Sequence, residues 1–135
     1  MQNMGNWGEI HMKNIDRWFI LKAIVYAIMG MVLGLWMGIN QDLSHTPLHA
    51  HLNLVGWASM AIFGLIHRAY PDVSASRLAK LHFVLMAIGT PVMLAGIPVA
   101  HSGGSELPVV AGSITVFAAT IVFLVNFTGN SGKTA

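Results

Sequence analysis

Residues 46–71 read TPLHAHLNLVGWASMAIFGLIHRAYP, an apolar run with His49 and His51 at its mouth and His67 near its end. Thr46 and Pro47 are a capping residue and a first-turn residue, and Pro71 is a stop, so the spacing predicts a membrane helix over residues 46–69 of about six turns. Residues two apart on a helix point about 200° from each other, so His49 and His51 cannot ligate one centre while the helix stays regular. Steps of three and four from His49 give Asn53, Gly56, Met60, Phe63 and His67, whereas His51 shares its face with Val55, Ala58 and Ile62. Gly56 leaves a gap where a flat macrocycle or another backbone can come close. Asn53, one turn below His49, is placed to hydrogen-bond an imidazole or a bound ligand. Because an imidazole in hydrocarbon is costly without a partner, each of these histidines is a candidate site residue.

The rest of the chain is built to hold such a helix in lipid. Of the 135 residues 55% are hydrophobic and 9% charged, far below the roughly 25% charge of a soluble domain, so the chain reads as a membrane protein. It has no cysteine, which excludes disulfides, zinc fingers, iron–sulfur clusters and covalent c-type haem, and leaves histidine, methionine or oxygen to hold any metal. The few basic residues flank the hydrophobic segments, a distribution that suits anionic lipid and not nucleic acid.

Hydropathy and stop signals predict an all-α protein, a single membrane domain over residues 1–135 with four antiparallel transmembrane helices at about 17–38, 46–69, 76–100 and 108–127. Trp18 and Trp36 mark the ends of the first helix as interfacial aromatics do, and Lys22 is placed to snorkel. Gly30, Gly34 and Gly38 form a stripe along it, for a contact within the chain or a seam between copies. Pro91 and Pro98 predict kinks in the third helix, and the fourth, with no ionisable group, reads as a packing helix. Basic residues before helix one, between helices two and three, and at Lys133 predict cytoplasmic termini, with residues 1–16 a cytoplasmic segment. His49, His51 and His101 then lie at the outer surface, and His67 and His82 form a second layer about 27 Å away along the axis.

Paired histidines on facing transmembrane helices, with glycines beside them, are a way to grip a b-type haem. The candidate ligands are His49, His51 and His82, then His101. Asn53, Ser59 or Thr90 are candidates to fix the ring tautomers. Gly56 offers the gap, and Trp57 stands as pocket wall or belt residue. The competing readings are headgroup histidines for His11, His45 and His67, and for His49, His51 and His82 a ring bonded to a backbone carbonyl or to Asn53. The methionines, Met60, Met86 and Met93 among them, serve as gap fillers, pocket lining or copper(I) donors.

The run His49-Ala50-His51-Leu52-Asn53-Leu54-Val55-Gly56-Trp57, with Phe63-Gly64-Leu65, Tyr70-Pro71, Ser76 to Phe83 (SRLAKLHF), Gly89 and Pro91, resembles small bacterial four-helix membrane homologues of the catalytic subunit of haem–copper oxidases and nitric oxide reductases, that is, proteins like cytochrome c oxidase subunit I. His-x-His is similar to the oxidase helix whose two histidines ligate haems on opposite faces. The resemblance implies one or more haem b groups, electron transfer or binding of nitric oxide or oxygen, oxidoreductase chemistry if any, a bacterial inner-membrane location and a redox partner protein. The sequence lacks the adjacent His-His pair that the copper centre of those oxidases needs, so the likeness carries haem binding further than catalysis. So short a chain encloses little, which predicts a homo-oligomer. The alternatives are a copper or zinc site of His45, His49 and His101 with Asp42 or methionine, and a structural or assembly subunit of a respiratory complex.

Overall fold

A computed structural model describes residues 14–132, so His11 and Lys133, and the reading of residues 1–13 as a cytoplasmic segment, lie outside the described residues. The described chain is all-helical: α1 (Ile15–Asn40), α2 (Thr46–Ala69), the short α3 (Pro71–Ala75), α4 (Arg77–His101) and α5 (Leu107–Asn130). All but α3 are long and apolar enough to cross a bilayer, which makes the chain a multi-pass membrane protein with four spans. Rings of Leu, Ile, Val and Phe face outward along every span, as expected where the solvent is hydrocarbon.

The four spans form two tight hairpins, α1 with α2 and α4 with α5, and glycine sets each crossing. A Cβ at Gly30 would lie 2.7 Å from Asn53 Nδ2, one at Gly34 2.7 Å from His49 Cε1, and one at Gly56 2.8 Å from Tyr26 Cβ. Two positions of the stripe in α1 therefore serve a contact within the chain, while Gly38 meets nothing. In the second hairpin, Gly112 lies against the backbone of Met93, and Gly96 against that of Val109. Pro91 and Pro98 sit inside α4 without ending it.

Two features depart from regular transmembrane rods. Residues Leu52–Ser59 of α2 are a π-helix, whose wider turn shifts the angular register of the residues that follow it. Leu52, Gly56, Met60 and Gly64 all face inward, followed by His67. Side chains occupy carbonyls of this stretch: Asn53 Nδ2 donates to His49 O at 2.8 Å and Ser59 Oγ to Leu54 O, five residues back, at 2.8 Å. The link between the hairpins is likewise more than a polar loop. Asn126 of α5, fully buried, donates from Nδ2 to Val73 O of α3 at 3.0 Å and accepts from Ser76 Oγ at 2.6 Å. Ser76 Oγ also accepts from the Ala79 amide and so caps α4. Thus α5 is more than a packing helix: its one buried amide fixes where α4 begins.

The glycine contacts predict a graded response. Gly112→Ala drives a methyl group into the Met93 backbone, which cannot yield, and should lower stability by about 1–3 kcal/mol or more. Gly38→Ala meets open space and should change little. Thermal unfolding in detergent distinguishes the two.

Candidate functional site

The histidines fall into two layers with opposite chemistry. In the first, near the start of α2, His49 and His51 point apart as the spacing predicts. His49 is half-buried against α1, with Nδ1 3.0 Å from Gly30 O. His51 is exposed on the other side, with Nδ1 2.8 Å from Pro47 O. A carbonyl can only accept, so in each neutral ring Nδ1 carries the proton and Nε2 the lone pair. This is the arrangement in which a backbone carbonyl orients a metal-ligating imidazole. Asn53 braces the His49 turn through His49 O and stands 3.5 Å from Nδ1. Gly56 receives the Tyr26 side chain in its gap, and Trp57 is exposed on the outer surface.

The other residues at that end do not gather around these rings. His45 lies beside Trp36, ring centres 5.8 Å apart. His101 ends α4, exposed and without a hydrogen bond or ring contact among the described residues. Asp42 accepts the Ser44 amide at 2.9 Å, and that bond holds its carboxyl below the usual carboxylate range while engaging it in its own loop. No group of three His, Cys, Asp or Glu is gathered to hold a metal ion among the described residues. The arrangement therefore offers no set of His45, His49 and His101.

The second layer lies at the opposite end, where the hairpins meet. His67 of α2 and His82 of α4 are buried, with ring centres 5.8 Å apart and planes at 36°. Phe63 and Phe123 lie against His82 at 4.6 and 5.0 Å, and Phe19 covers both histidines, stacking on His67 at 5.5 Å. Among the described residues none of the four ring nitrogens meets a hydrogen-bond partner. Asp16 and Arg68 pair at 3.2 Å at the edge of this box, with Arg68 largely exposed.

This packing tests where a porphyrin fits. Phenyl rings occupy the space around His82, so no macrocycle fits beside it in this packing. An apolar groove on the outside of α1 and α4, lined by Trp18, Leu21, Lys22, Val25, Tyr26, Met29 and Pro91, contains no histidine to reach an iron. His49 Nε2 lies over Gly34, where an added Cβ would be 3.5 Å away. Among the described residues His51 is both exposed and held by a carbonyl at Nδ1.

Sequence reasoning placed His67 and His82 in one layer but took His67 for a headgroup residue, because Arg68 and the helix end follow it. Its burial comes from Phe19 and Phe123, contributed by other helices. Asn126 was missed, although a lone Asn deep in an apolar helix is a signal that a carbonyl awaits it. No protein-family model, curated protein or solved structure matches the chain.

An unpaired buried ring is a stability liability. In metal-free protein His82→Leu removes two unsatisfied nitrogens at similar volume and should raise stability by about 1–3 kcal/mol. A lower unfolding temperature in the presence of chelator would show instead that the ring has a partner.

Proposed function

We propose that the chain is a haem b-binding protein of the bacterial inner membrane, with both termini in the cytoplasm, working in electron transfer or in binding a diatomic gas such as nitric oxide or oxygen. The observation that supports this is that His49 and His51 face opposite ways on α2; each ring makes the carbonyl bond of the competing reading, but through Nδ1 alone, which leaves Nε2 with its lone pair. The likeness of the HAHLNLVGW run to small four-helix homologues of haem–copper oxidases, and of its His-x-His to the oxidase helix that ligates haems, points the same way.

His51 is the ligand of choice, because its Nε2 opens on the outer face of α2. The Pro47 carbonyl fixes its ring and sharpens its basicity. Leu54 and Trp57 are exposed apolar residues further along α2. A second copy of the chain covers the opposite side, which makes the protein a homo-oligomer. A b-type haem held there by His51 would supply one-electron chemistry or a place to bind a diatomic gas. His49 is turned inward and, with Asn53, holds the start of α2 against α1.

Expression with ample haem should give purified protein with a Soret band. His51→Ala should abolish the band, and His82→Leu should leave it intact. No band in the parent protein, or loss in His82→Leu with retention in His51→Ala, contradicts the assignment.

A further inference from the structure

The box formed by His67, His82 and the phenyl rings is not used by the reading above, and its chemistry is specific. Burying two imidazoles with no hydrogen bond to any of four nitrogens is unfavourable unless something occupies the space between them. We propose that His67 and His82 form a two-coordinate site for a soft monovalent d10 cation, copper(I), with silver(I) as its surrogate.

Separation comes first. With metal–nitrogen bonds of about 2 Å and each donor nitrogen about 1 Å from its ring centre, a shared two-coordinate ion sets the ring centres about 6 Å apart; they are 5.8 Å apart here. Direct N–H···N pairing requires a closer approach, and the rings do not make it. They belong to different hairpins, so one ion would tie the halves of the bundle together.

Charge and softness select the metal. Zinc(II) takes four ligands and brings two charges, but the box supplies two neutral nitrogens and no carboxylate inside it. A single charge is cheaper to hold there, and the faces of Phe19, Phe63 and Phe123 favour a cation. Thioethers continue the soft character inward. Met86 follows His82 by one turn on the buried face of α4, and Met60, two turns before His67 on α2, is fully buried as well. Asp16, its carboxylate largely covered at the edge of the box, is paired there with Arg68. Each neutral ring binds through its lone pair, so loading releases no proton and needs no change in oxidation state.

This site does not depend on haem binding, and the residues separate the two. Metal-stripped protein in lipid nanodiscs is loaded anaerobically with copper(I) under ascorbate and challenged with bicinchoninate. The parent protein, His51→Ala and the parent with excess zinc(II) should each withhold one copper(I) per chain, whereas silver(I) should displace it. His67→Leu and His82→Leu should each lose it, with affinity lower by about two orders of magnitude. In the parent protein with 15N-labelled histidine, silver(I) should shift the His67 and His82 resonances and leave His49 and His51 unmoved, a readout that no misfolded variant can confound. A parent protein that withholds no copper, copper retained in both leucine variants, or silver shifts confined to His49 and His51 would overturn the site.

Discussion

An imidazole inside a lipid-embedded bundle has no water to turn to, and each ring nitrogen must find a protein atom, a ligand or nothing. The chain resolves this in two ways at its two ends. At the start of α2, backbone carbonyls take the Nδ1 protons of His49 and His51. Where the hairpins meet, phenyl rings surround His67 and His82, and no hydrogen bond reaches either ring among the described residues. The first arrangement prepares a nitrogen to bind on one side. The second holds two imidazole rings in an apolar box with their centres 5.8 Å apart.

Both arrangements depend on how closely the helices approach. Without a Cβ at Gly30 and Gly34, α1 comes near enough for the Gly30 carbonyl to accept from the His49 ring and for that ring to sit against Gly34. The π-helical turns keep Leu52, Gly56 and Met60 on the inner line, and so carry the inward face of α2 down to Gly64 and His67. On the other side, Asn126 ties the Val73 carbonyl and the Ser76 hydroxyl, fixing the first residue of α4. His82 lies six residues beyond that cap, so the buried amide of Asn126 helps set the start of the helix that carries it.

The four spans were legible because hydrophobic length is a property of the local sequence, and Thr46-Pro47 and Pro71 bounded α2 correctly. The divergence of His49 and His51 was equally legible, since it follows from angular spacing within a single stretch ahead of the π-helix. The π-helix was not, because it depends on which carbonyls Asn53 and Ser59 reach once folded. His67 was misjudged for the same reason: Arg68 and the helix end follow it in sequence, and the rings that bury it come from α1 and α5. The stripe of Gly30, Gly34 and Gly38 left two uses open, and contact with Asn53 and His49 decides two of its three positions.

The contrast between tethered and untethered rings is open to one direct observation. In 15N-histidine spectra of the metal-free protein in bilayers, His49 and His51 should each show a protonated, hydrogen-bonded Nδ1 and an unprotonated Nε2, while His67 and His82 should appear as neutral rings lacking the shifts of hydrogen bonding. Protonated Nε2 at His49 and His51, or hydrogen-bonded nitrogens at His67 and His82, would contradict the account.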